Sequence, residues 1–153
     1  KNNSVFDRIV ILLKTMKIKY EIFEHERVFT SSDAARVRGT SLHQGAKALV
    51  LQGDVGLILY VLPSDISADL DSLKRKIGIK EVTLVPKKEV ESKAGIEAGA
   101  IPPFGSLLGM RTYLDSRLSD NDEIAFNAGR HDRSIKMKYQ DFVKIEKPTI
   151  VSL

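Results

Sequence analysis

The sequence contains no cysteine, which excludes thiolate nucleophiles, disulfide frameworks and cysteine-based metal sites. Long apolar runs are missing too. Ile9 to Leu13 and Leu57 to Leu62 fall far short of the ~20 residues that span a bilayer, and the start of the chain lacks the apolar stretch and cleavage pattern of a secretory signal. No membrane partner is expected, and the cytoplasm is the simplest address. GxxxxGKS/T, GxGxxG after a strand, GxSxG and HExxH are all absent, so nucleotide hydrolysis, dinucleotide binding, elbow-type serine esterase chemistry and zincin chemistry have no support. His25, His43 and His131 are widely separated and not paired with a carboxylate at metal-ligand spacing, so neither a metal nor a cofactor is expected. No charge dominates either: 24 Lys and Arg stand against 20 Asp and Glu, net +4. Interleaved in this way they make a weak nucleic-acid footprint, suited to a few phosphates at one end of an RNA and not to DNA.

What is present is an ordinary globular composition, 42% hydrophobic and 29% charged over 153 residues, enough for one domain, residues 1–153, with a core of its own. Ser4 and Asp7 pair as a cap before an amphipathic helix over 4–17. Residues 19–23 read as a strand. Thr30, Ser31, Ser32 and Asp33 offer N-cap chemistry to a short helix that Gly39 closes. Two apolar segments around Gln52-Gly53-Asp54-Val55-Gly56 predict a β-hairpin ending at Pro63. Asp69 caps a helix closed by Gly78, residues 82–85 form a strand, and a helix over 87–94 stops at Gly95. "GIEAGAIPPFG", Gly95 to Gly105, is too rich in glycine and proline for a helix or central strand. Strands follow at 107–114, 123–127 and 134–137, the last two joined by "AGRHDR", with a closing helix over 140–145. Hairpins mixed with crossovers predict an α+β fold: a mixed, mainly antiparallel β-sheet flanked by helices.

Few residues stand out chemically. Lys47 opens the apolar run Ala48 to Leu51, so it either snorkels to water or is held as a cation at a pocket mouth, where it would attract an oxyanion or phosphate. The loop Gly99-Ala100-Ile101-Pro102-Pro103-Phe104-Gly105 is either a rigid connection or a ligand wall with fixed backbone N–H groups. Asp115 in "YLDSRL" is a turn residue or part of a site. The histidines suit surface or local hydrogen-bonding roles, with His43, near Lys47, the exception to watch.

Taken in order, "AKALVL" with Lys47, "AGIEAGAIPPFG", "YLDSRL" with Asp115, and "FNAGRHD" with Gly129 and Arg130 make the chain resemble the YbaK/ProX-like aminoacyl-tRNA deacylases, related to the editing domain inserted in bacterial prolyl-tRNA synthetases. The resemblance runs from about Tyr20 to Ile145. Ala48 and Ala100 depart from a threonine or serine after the lysine and from a glycine pair in the loop. It implies the fold read above and a free-standing hydrolase that cleaves a small amino acid (alanine, serine or threonine) from the acceptor end of tRNA(Pro) or a related tRNA. Lys47 would be the essential lysine and Gly99 to Gly105 the substrate loop, with N–H groups near Gly99 to Ile101 at the oxyanion. Ala100, Pro102, Asp115 and Gly129 join that substrate set, and Thr30 and Ser31 could meet a substrate hydroxyl. Arg130, His131, Lys136 and Lys138 are the candidates for tRNA phosphates, and a synthetase is a further candidate partner. A non-catalytic aminoacyl-tRNA or synthetase-binding module is the alternative, and a small-ligand or peptide-binding protein a third.

Overall fold

A strand in which every residue is apolar has to be covered on both faces. In the computed structural model, which describes residues 4–153, strand β3 (Gly56–Pro63) is that strand. Leu59 and Val61 enter one apolar cluster with Ile9, Leu13, Phe104, Phe126 and Phe142. Ile58, Tyr60 and Leu62, on the other pleat, enter a second with Leu73 and Val151. β3 is the centre of a five-stranded sheet ordered β4-β2-β3-β5-β8. β2 (Ala46–Gly53) runs antiparallel to it, in register from Ala46–Pro63 to Gly53–Gly56. β4 (Val82–Leu84) is antiparallel to β2, whereas β5 (Arg111–Asp115) and β8 (Thr149–Val151) add in parallel. The Asp54 carboxylate accepts the Lys80 and Glu81 N–H groups, tying the hairpin tip to the start of β4.

β1 (Tyr20–Glu24), β7 (Arg133–Lys138) and β6 (Glu123–Arg130) make a second, antiparallel sheet. The strands are thus mixed, mainly antiparallel and flanked by helices as expected, but divided between two sheets. Among the described residues the backbone of β6 bridges to β2's entrance at Gly45–Ala125, and the large apolar cluster fills the space between the sheets. Helix α1 (Val5–Thr15) buries Ile9 and Leu13 there. α2 (Ser31–Arg38), α3 (Leu70–Ile77), α4 (Lys87–Ala94) and α5 (Tyr139–Glu146) complete the flanks. The caps sit where the sequence puts them: Ser4, Thr30 and Asp69 side chains accept N–H groups of Asp7, Asp33 and Ser72 at 3.0–3.1 Å.

Three expectations are corrected. Residues 107–114 are not one strand: Gly105–Leu108 is a 3-10 turn and β5 begins at Arg111. The chain curls because Gly105 donates its N–H to Thr112 Oγ1 (3.0 Å) and Ser106 donates its N–H and hydroxyl to Glu146 (3.0 and 2.6 Å). A Cβ at Gly105 would run into Met110 O and the Thr112 hydroxyl, so only glycine fits. The β6–β7 turn is tighter than "AGRHDR", since Arg130 and Arg133 are paired. β8, unread in the sequence, adds to β5.

Phe104 ends the glycine-proline loop, fully buried and edge-on to Phe126 (5.6 Å) and Phe142 (5.4 Å). Phe104→Ala should cost about 3–5 kcal/mol, a cavity no neighbour can fill, measurable as a lower urea midpoint at unchanged slope.

Candidate active site

β2 carries the site because one of its edges is half covered. Gly45 O accepts from Ser64 N (2.9 Å), which turns odd-numbered residues toward β3. Val50 O accepts from Val85 N (3.1 Å), which turns even-numbered residues the other way. β4 pairs only with Leu51 to Gly53. Ala48 therefore presents its N–H and C=O to an edge with no strand beside it. Ala46 to Val50, five consecutive residues from both pleats, line a pocket of about 220 Å³, as a bare strand edge would.

The opposite wall is Gly99 and Ile101, fixed from β6 at two successive carbonyls. Gly129 N–H donates to Ala100 O (2.9 Å) and Asn127 Nδ2 donates to Gly99 O. Asn127 is oriented in turn by Arg38, whose Nη2 donates to its Oδ1 (2.7 Å) and whose Nε donates to Ser134 Oγ (2.9 Å). His25 Nε2 meets the same serine oxygen at 2.9 Å. The chain of contacts locks an otherwise irregular segment. Gly99 has φ +89°, and a Cβ there would lie 3.3 Å from His131 Cε1, so its backbone passes close over the imidazole. Of the three loop N–H groups, Ala100's is committed to Glu97 O (3.1 Å), which removes it from the expected oxyanion set. Those of Gly99 and Ile101 have no protein acceptor among the described residues.

Among the described residues three cations line the pocket, Arg38, Lys47 and Lys87, and no carboxylate or imidazole does. Burial pushes the half-buried Lys47 ammonium below its ordinary value, with Asp65 pulling the other way. Arg38 has no carboxylate within ion-pair distance among the described residues, and burial lowers it to about 10. In low dielectric such charges act strongly on whatever negative charge develops between them. Thr30 and Ser31 also line the pocket; the Thr30 oxygen accepts the Asp33 N–H and keeps its own proton to donate.

Similarity to known proteins fits this geometry. Residues 25–145 match the family model of the aminoacyl-tRNA editing domain. The chain belongs to the aminoacyl-tRNA editing domain family. It is 35% identical to the multifunctional Ser/Thr-tRNA deacylase ProXp-y of Escherichia coli K12, over 99% of this chain and 94% of that protein. The prolyl-tRNA editing protein ProX of Acetoanaerobium sticklandii is 24% identical over 91% of this chain and 88% of its own. A solved candidate trans-editing enzyme for prolyl-tRNA synthetase shares the fold, with a TM-score of 0.82, 21% identity and 100% and 98% of the two chains covered.

Within this editing domain, the pocket gathers Lys47, Gly99, Ile101, Thr30 and Ser31 from the residues singled out in the sequence. The others lie elsewhere. Ala100 is buried in the core and Pro102 is buried outside the pocket lining. Asp115 is fully buried, accepting from Tyr60 OH (2.9 Å) and from Arg117 (2.7–3.0 Å). Burial would raise its carboxyl, but the Arg117 contacts hold it below the ordinary range. Gly129 braces the loop from behind. Arg130 is clamped to Asp132 (2.8 and 3.1 Å), and Lys136 lies 3.4 Å from Glu21 and 3.9 Å from Glu123. His131 is buried, its Nδ1 at 3.0 Å from Val28 O. None of these three is a free cation beside the pocket. Arg38, Asn127, Phe29 and Lys87 were missed. Of these only Asn127 carried a local signal, a polar side chain inside the apolar run Ala125 to Ala128.

His43 turns out to bridge Asp65 Oδ1 and Asp120 Oδ2, both at 2.9 Å, holding the strand segment behind Ser64 rather than entering the pocket. The Asp65 hydrogen bond, then that of Asp120, raises its pKa above 6.5. Because the folded value is raised, its stabilisation is complete below the unfolded value and fades as pH rises through the folded one. An imidazole NMR titration should give a midpoint above 6.5, and the melting temperatures of the native chain and His43→Ala should converge above that midpoint. For the loop clamp the informative change is Asn127→Asp. It leaves Arg38 a better acceptor but removes the donor to Gly99 O. The melting temperature should hold while amide exchange at Gly99 and Ile101 accelerates roughly tenfold or more.

Proposed function

We propose that this chain is a trans-editing deacylase: it hydrolyses the ester joining a small wrong amino acid, alanine, serine or threonine, to the terminal ribose of tRNA(Pro) or a related tRNA. One observation carries the reading: a small pocket lined by Lys47 and by loop residues Gly99 and Ile101, whose N–H groups have no protein acceptor, with no acid in the lining among the described residues. The deacylase name of the relative that covers 99% of the chain supports it.

In this reading the acyl group enters the pocket and water attacks its carbonyl carbon. The oxygen becomes an alkoxide held by the Lys47 ammonium and by N–H donors of Ala48 or Ile101. Among the described residues the lining has neither carboxylate nor imidazole, and in this reading Lys47 serves the oxyanion as a cation and not the water as a base. Activation of the water therefore falls to the substrate, whose ribose 2′-hydroxyl lies next to the ester. An aminoacyl ester is reactive enough for orientation and charge stabilisation to suffice. About 220 Å³ is smaller than the ~300–1,000 Å³ of pockets that take drug-sized ligands, so selection is by size, the second sieve of an editing pathway. Thr30 and Ser31 would meet the hydroxyl of serine or threonine. Lys87 is better placed for a tRNA phosphate than the ion-paired Arg130 and Lys136. The setting we propose is the cytoplasm, where a synthetase could hand over the mischarged tRNA.

A deacylation panel on tRNA charged with alanine, serine, threonine, cysteine and proline tests this. The native chain should clear the small residues, and Lys47→Ala should lose on the order of 100-fold or more in kcat. A near-normal rate in that variant removes Lys47 from the mechanism, and tight binding without turnover by the native chain would make the protein a non-catalytic module.

A further inference from the structure

Phe29 has no role in the chemistry above, yet it is the most conspicuous side chain at the pocket mouth. It lines the pocket next to Thr30 and Ser31 while 66% of it stays exposed. Its place is fixed from behind. Val28 N donates to His131 O at 3.0 Å, and His131 Nδ1 lies 3.0 Å from Val28 O. The Phe29 ring centroid is 4.7 Å from that of the buried imidazole. The Arg27 guanidinium lies over the ring, 5.4 Å from its centroid, and 3.8 Å from Glu97 on the facing loop. A large apolar ring held in water by buried neighbours is a preformed contact surface.

The size of the pocket says what would meet it. A cavity of about 220 Å³ takes an acyl group and little more, so an ester-linked nucleoside has to remain at the mouth. Unpaired bases at RNA ends are bound by stacking on aromatic rings and guanidinium planes. Phe29 and Arg27 offer both. We propose that Phe29, with the Arg27 guanidinium layered over its ring, is the stacking platform for the unpaired terminal base of the substrate, the adenine next to the ester. This rests on the deacylase reading, and it assigns base binding to the segment between β1 and α2, apart from the Lys47 edge that handles the ester.

The chain has no tryptophan, so Phe29→Trp installs a single fluorescent reporter. Titration with the uncharged trinucleotide 5′-CCA-3′ should quench it, and the same oligonucleotide with an abasic 3′ end should not. In kinetics on charged tRNA, Phe29→Ala should raise KM about 5- to 150-fold, the range set by losing one base–aromatic stack, with kcat little changed and with Phe29→Tyr restoring KM. On the same amino acid esterified to the ribose of an abasic 3′ end, which keeps the 2′-hydroxyl and lacks only the base, Phe29→Ala should raise KM far less than on charged tRNA. A native KM in Phe29→Ala, equal quenching by the abasic oligonucleotide, or an equal rise in KM on the abasic ester would overturn the platform. If the native chain deacylates no tRNA, the deacylase reading falls by itself, and the fluorescence titration still decides whether Phe29 stacks a base.

Discussion

β2 has a strand beside it along its whole length on one side and for three residues on the other. That asymmetry is the constraint from which the site follows. A sheet edge must satisfy its backbone groups or leave them for water or a ligand. Here the bare stretch does not face open solvent but the wall of a glycine-proline loop, so its unpaired groups are gathered into a narrow space. Lys47 belongs to this stretch. Its backbone pairs with β3 through Leu62, which fixes the main chain while the long side chain remains free of the ladder. A charge opening an apolar run is tolerable because the run is not yet covered at that point.

The facing wall needs a different kind of support, since no regular structure holds residues 95 to 104. It is built from polar side chains of the second sheet. Arg38 leaves the last turn of α2, crosses to Asn127 and Ser134 on β6 and β7, and through Asn127 reaches Gly99 O. A half-buried guanidinium with only neutral partners is costly, and its retention makes sense if it fixes which way the Asn127 amide points. Reversed, that amide would set its oxygen against the Gly99 carbonyl. The two sheets, bridged through the backbone at Gly45–Ala125, are therefore also coupled across the pocket by this contact chain.

How much of this could be read beforehand depended on whether the signal was local. Helix caps and stops were legible at Thr30, Asp69, Gly39 and Gly78 because they act within four residues. Lys47 was legible because a charge interrupts an apolar pattern, and the loop because Pro102 and Pro103 exclude regular structure. Arg38 was not: its partners lie 89 and 96 residues away, and nothing near it differs from an exposed helix end. The division into two sheets was equally hidden, since period-2 patterning says that a strand is buried and not beside which strand. Leu107 and Leu108 misled for the converse reason. They are apolar enough for a strand, but Gly105, Thr112 and Glu146 curl the chain there, and Glu146 lies 40 residues beyond the serine it holds. Asp115, whose motif suggested a site, is held by Tyr60 and Arg117 inside the second core.

The charge of the pocket ties these parts together. Catalysis requires interactions that are stronger in the transition state than with the bound ester. The ester is neutral and the tetrahedral state carries a full negative charge on oxygen, so a fixed cation discriminates between them in proportion to how little else neutralises it. A carboxylate beside Lys47 would make the lysine cheaper to bury and the discrimination smaller. Asp65 acts on Lys47 from outside the lining, and it is itself engaged by His43. The lining thus keeps its positive field open toward the cavity, and the cost of holding Lys47 partly desolvated is the same physical fact as the usefulness it would have in the reaction we propose.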